Sequence, residues 1–105
     1  MKFQTIGNPN DSLIIMLPGS FCPSSGLNYL YEKLKDDYCI VLVEYNGHYE
    51  NSTFSSRQNE AKGIVEYIQK QNIHTIKMIY GQSMGAEIAI ELFKQLEKTN
   101  IDVDY

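Results

Sequence analysis

Three short apolar runs constrain this chain more than any other feature: LIIML at residues 13–17, CIVLV at 39–43 and IKMIY at 76–80. Each is continuous or nearly so, whereas a strand with one wet face would alternate apolar and polar residues. Runs of this kind suit strands covered on both faces, as in a parallel sheet. Helix patterns lie between them. After Ser24 and Ser25, apolar residues fall at Leu27, Leu30, Tyr31 and Leu34, all on one helical face. After Ser55, with Gln58 three residues on as its capping-box partner, Ala61, Ile64, Val65 and Ile68 repeat the spacing. From Met84 the chain continues with Ala86, Ile88, Ala89, Ile90, Leu92, Phe93 and Leu96. That segment is apolar nearly all round, the pattern of a helix buried against the middle of a sheet.

Strand and helix in alternation predict right-handed βαβ units. The expected class is α/β: three layers, with a mostly parallel sheet between flanking helices. Residues 2–6 are expected to add an antiparallel strand at one edge, and residues 101–105 read as the opening of a further strand. No repeat, linker or low-complexity tract divides the 105 residues, so residues 1–105 read as a single domain. A domain of that size buries roughly 60–70% of its unfolded surface, enough for a thin core.

Composition removes several function classes. The net charge is −4, and the nine Lys and Arg are dispersed. They form neither a basic stripe for nucleic acid nor a basic amphipathic helix for a membrane surface. The two cysteines, Cys22 and Cys39, are too few for a disulfide framework and make no Cys-x-x-Cys pair, so neither a metal site nor a cofactor is expected. They read as reduced thiols, with Cys39 buried in a strand. The first apolar run is shorter than the ~7–15 residues of a signal-peptide core, and no stretch approaches the ~20 needed to cross a bilayer. The expected location is cytoplasmic.

The chemistry-bearing motif is YGQSMGA, residues 80–86. It places Ser83 between Gly81 and Gly85, where an apolar strand gives way to a helix. In a parallel sheet, ligands bind at this carboxyl rim. A Gly-x-Ser-x-Gly turn there holds the serine in a strained conformation with its hydroxyl exposed, and the flanking glycines let two backbones pass closely. The helix behind it contributes unpaired N–H groups and partial positive charge. Alternatively Ser83 is a plain helix N-cap, a role serine often fills.

Residues 13–89 resemble the N-terminal half of an α/β-hydrolase. The first strand ends Leu17-Pro18-Gly19-Ser20-Phe21, with proline where that family usually has histidine. The second ends Glu44-Tyr45-Asn46-Gly47-His48-Tyr49, keeping an acid, a glycine and the histidine of the family's Asp-x-x-Gly-His-Gly, with tyrosine for the last glycine. The third match is Gly81-Gln82-Ser83-Met84-Gly85. The resemblance implies Ser83 as nucleophile, the Met84 N–H as one oxyanion donor, and the N–H of Ser20 or Phe21 as the other. It also implies a small-molecule acyl substrate and a site entrance shaped by His48.

In that family a catalytic acid and then a histidine follow the serine, and no histidine follows Ser83 here. His74 precedes the third strand, about 17 Å of strand away from Ser83. His48 lies on the correct rim and reads as a loop residue. Cys22 could pair with His48, but no spacing rule supports the pair and a loop thiol is the preferred reading. Residues 19–26 lack the lysine and glycine spacing of a phosphate loop. Tyr31 and Tyr67 fall on or beside core stripes, while Glu87, Glu91, Lys94, Glu97 and Lys98 read as a solvated helix edge. The expectation is a truncated serine hydrolase (esterase, lipase or thioesterase-like) with little turnover of its own. The alternative is a non-catalytic module that self-associates, or pairs with a missing C-terminal half, through an open sheet edge at residues 76–80.

Overall fold

The computed structural model describes residues 1–19 and 24–105. In chain order the elements are β1 (Lys2–Ile6), β2 (Leu13–Leu17), a 3-10 turn (Ser24–Leu27) leading into α1 (Asn28–Leu34), and β3 (Cys39–Glu44). Then come α2 (Arg57–Lys70), β4 (Thr75–Ile76), β5 (Met78–Gly81), α3 (Met84–Leu96) and β6 (Asp102–Val103). The main sheet has the order β1-β3-β2-β5. β2 lies parallel to both β3 and β5, and β1 closes one edge antiparallel to β3.

The continuous runs exist because both faces of this sheet are covered. Leu13, Ile15 and Leu17 of β2 join Val41 and Val43 of β3 in a core beneath α2 and α3. Ile14, Met16, Ile40 and Leu42 point the other way, where Leu27, Leu30, Tyr31 and Leu34 cover them. Ile88 and Leu92 of α3 are fully buried, a contribution of roughly 1.5–3 kcal/mol each. Tyr67 packs on the α2/α3 side, its ring stacked on Phe3 at 3.9 Å. Cys39 is buried, and burial first, Asp11 second, pushes its thiol above the ordinary range. Among the described residues no helix is long and apolar enough to cross a membrane.

Three details differ from the sequence reading. The third apolar run is broken at Lys77, whose N–H turns to the Leu13 carbonyl at 2.7 Å. Its outer edge is not open along its length. β6 pairs with β4, and the chain continues alongside, with Tyr105 N–H bonded to the Lys77 carbonyl at 3.1 Å and Ile79 N–H to the Tyr105 carbonyl at 2.9 Å. Second, α3 is buried on one side only. β5 lies at the edge of the four-stranded sheet, so α3 has a helix neighbour on one flank, and Ile90 (58%) and Phe93 (37%) stay exposed on the other. Third, the α2 cap is Ser56 rather than Ser55: Ser56 has extended backbone, and its Oγ accepts the Asn59 N–H at 3.0 Å.

Candidate functional site

β2 and β5 are neighbours, with Leu17 in register with Gly81. From that shared rim the chain leaves β2 toward the α1 face and leaves β5 toward the α3 face. Adjacent parallel strands whose connections depart to opposite faces open a crevice at their carboxyl ends, the place where α/β sheets bind ligands. Ser83 stands at that rim, just past the carboxyl end of β5.

The connection from β5 to α3 is only two residues, Gln82 and Ser83. So short a link drives the first turn of α3 against the end of β2. A Cβ on Gly85 would lie 2.1 Å from the Leu17 carbonyl oxygen, and one on Gly81 would lie 2.5 Å from the Gly85 carbonyl group. Neither position admits a side chain. The same constraint falls on Ser83, which takes φ 53° and ψ −115°, a region that L-residues rarely adopt. Its hydroxyl makes no capping bond to the helix, and the residue is exposed. The turn is held instead through backbone: Gly85 N–H reaches the Gln82 carbonyl at 2.7 Å, and Ala86 N–H reaches the Ser83 carbonyl at 3.0 Å. Met84, the first residue of α3, has its N–H among the donors that a helix start leaves without an intrahelical acceptor.

Ser20, Phe21 and Cys22 lie outside the described residues. Where the chain leaves β2, Pro18 and Gly19 are buried, and the Tyr45 hydroxyl donates to the Pro18 carbonyl at 2.8 Å. Tyr45 is itself fully buried, and burial, with the nearby Glu60 carboxylate second, holds its phenol well above the usual range. Glu60 is fully buried too. Its Oε1 accepts the Asn46 N–H at 2.8 Å and its Oε2 accepts the Asn46 side-chain amide at 2.9 Å. α2 is thus fastened beneath the loop that follows β3.

The two histidines sit at opposite rims. His74 is exposed just before β4, at the amino-terminal end of the sheet. His48 is at the carboxyl rim, half-buried, with its ring edge-on to Tyr45 at 5.3 Å and Nδ1 3.4 Å from the Asn46 carbonyl. It follows β3, two places from β5 in the sheet, a lateral offset of about 10 Å. The carboxylates of α3 are engaged at its surface, Glu87 with Arg57 and Glu91 with Lys94. No group of three or more His, Cys, Asp or Glu capable of holding a metal occurs among the described residues.

Tyr45, Glu60 and Asn46 were missed by the sequence reading. Glu60 carried a signal: it falls on the same helical stripe as Ala61, Ile64 and Ile68, where a charged residue must find a buried partner.

Solved structures with this arrangement are numerous. A protein of Desulfitobacterium hafniense assigned to the alpha/beta hydrolase family superposes with a TM-score of 0.89 at 24% identity, over 97% of this chain and 41% of its own. The fold is that of the α/β-hydrolases. A marine microorganism esterase gives a TM-score of 0.78 at 23% identity, over 91% of this chain and 37% of its own. A 1H-3-hydroxy-4-oxoquinoline 2,4-dioxygenase gives 0.77 at 22%, over 90% and 36%. The chain therefore spans about two fifths of the length of these α/β-hydrolase-fold proteins. No family model matches the chain, and no curated protein matches it.

Proposed function

We propose that Ser83 is the nucleophile of a serine hydrolase acting on an ester, thioester or related acyl group. The observation that carries this reading is the corner itself: an exposed serine at φ 53° with its hydroxyl uncommitted to the helix cap. The fold cannot carry it alone, since a dioxygenase has the same fold. In the proposed reaction the Ser83 Oγ bonds to the acyl carbon, the leaving group departs with a proton, and water then releases the acid from the acyl-enzyme. The Met84 N–H is proposed as one donor to the oxyanion. The N–H of Ser20 or Phe21 is the proposed second donor, supported by the Leu17–Gly81 register that makes the two rims adjacent. His48 is assigned to the border of the entrance.

Neither histidine of this chain suits the role of base. His74 occupies the wrong rim, and His48 is two strands away, packed against Tyr45. The base and its acid are proposed to come from outside these residues, so the chain alone turns over little substrate. Chemical rescue tests this. A fluorophosphonate should label Ser83 slowly in plain buffer and faster in proportion to added neutral imidazole, with no label in Ser83→Ala. Rapid labelling without imidazole would contradict the missing base, and absence of Ser83 label at any imidazole concentration would remove the nucleophile.

A further inference from the structure

Gln82, the residue immediately before the strained serine, is held from three sides. Its N–H donates to the Leu17 carbonyl at 3.1 Å, which ties it to β2. Its carbonyl accepts the Gly85 N–H at 2.7 Å, which ties it to α3. Its side-chain Nε2 donates to the Tyr29 hydroxyl at 2.9 Å, which ties it to α1 across 53 positions of sequence. Tyr80, the residue two before Gln82, is the first cause that pushes the Tyr29 phenol above its ordinary range. The first two bonds are backbone bonds that come with the sheet and the helix. The third comes from side chains alone, and it links α1 to the corner.

A backbone in a sparsely populated region persists only where its surroundings over-determine it. The peptide plane joining Gln82 to Ser83 sets one side of the Ser83 φ rotation, so whatever fixes Gln82 also constrains the direction of the Ser83 Cα–Cβ bond that carries Oγ. Tyr29 is 54% exposed and contributes little to the core, so packing does not account for its place. We propose that Tyr29 and Gln82 form a positioning pair: the tyrosine acts through the glutamine to hold Ser83 in its strained, outward-facing conformation. This inference rests on the reading of Ser83 as a nucleophile, and it identifies a residue on a different element that governs its reactivity.

Two measurements on the full chain separate this role from its competitors. In imidazole-rescued phosphonylation, Tyr29→Phe and Gln82→Ala should each slow Ser83 labelling roughly ten-fold, since small misplacements of a reacting atom carry large rate penalties. The double variant should be no slower than either single one, because both substitutions break the same link. Tyr80→Phe, which leaves the Gln82 bond in place, should change the rate little. Additive effects would mean that Tyr29 touches the probe directly, and would overturn the pair; so would an unchanged rate in Tyr29→Phe.

The second measurement does not depend on Ser83 chemistry. Ser83→Gly relieves backbone strain and should raise the thermal midpoint. In a Tyr29→Phe background the corner can already relax, so that gain should shrink by roughly half or more. An equal gain in both backgrounds would overturn the positioning role. Were wild-type Ser83 to resist labelling while the gain still shrank, the hydrolase reading would fall and the pair would survive as a structural clamp only. Unchanged unfolding midpoints for Tyr29→Phe and Gln82→Ala show that a slower rate is not lost folding.

Discussion

Two serines in this molecule occupy the same formal place and behave in opposite ways. Ser56 and Ser83 each stand at the N-cap of a helix that follows a parallel strand at the carboxyl rim. Ser56 is reached by the long connection after β3; it has φ −162° and ψ 161°, and its Oγ caps the helix through the Asn59 N–H. Ser83 is reached by a two-residue connection; it has φ 53° and ψ −115°, and its hydroxyl caps nothing. The difference is one of chain length. A long loop lets the backbone choose an extended cap, and the hydroxyl is then used for stability. A link as short as Gln82-Ser83 removes that choice and leaves the residue exposed, with its hydroxyl unused by the cap.

Substitutions that probe the crowding behind each serine should show the contrast at full scale. Gly85→Ala drives a Cβ to 2.1 Å from a backbone oxygen, so a loss of about 4 kcal/mol or more is expected in chemical denaturation. Gly63→Ala, inside the helix that Ser56 caps, meets only the flexible end of Met1 at 2.8 Å. There the gain in helix propensity, about 1 kcal/mol, offsets the adjustment and leaves stability unchanged or slightly raised. Equal losses at the two glycines would break the comparison.

Next in size is the buried carboxylate near the Ser56 side of the rim. Glu60→Ala leaves two Asn46 donors without their partner, and a loss of about 3 kcal/mol is expected. A loss below about 1 kcal/mol would mean that the loop after β3 is not fastened as described. Smaller again is the cap itself. Ser56→Ala should cost about 1 kcal/mol, whereas Ser83→Ala should cost almost nothing, because no capping bond is lost there.

Much of the fold was legible in the sequence because its signals are local. The continuous runs at 13–17 and 39–43 are β2 and β3, and the helical stripes at 27–34 and 61–68 are the faces that cover them. The Gly-x-Ser-x-Gly spacing placed the corner because the close approach of Gly81 and Gly85 admits no other residue. What failed depended on distant neighbours. The exposure of Ile90 and Phe93 is set by what lies beside α3, which its own composition cannot report. The break at Lys77 follows from a hydrogen bond to Leu13 and from the return of residues 101–105. The shift from Ser55 to Ser56 arose because two adjacent serines offer nearly the same capping pattern. The Gln82–Tyr29 bond joins residues with no sequence signature in common.

The decisive measurement is a pair of equilibrium unfolding curves, for Ser83→Gly and for Ser56→Gly. Glycine accepts positive φ freely, so Ser83→Gly should be more stable than wild type by about 1 kcal/mol, while Ser56→Gly should be less stable by a few tenths of a kcal/mol. If both variants instead lose stability by the same small amount, Ser83 is an ordinary cap, its hydroxyl is not held out for chemistry, and the proposed nucleophile is wrong.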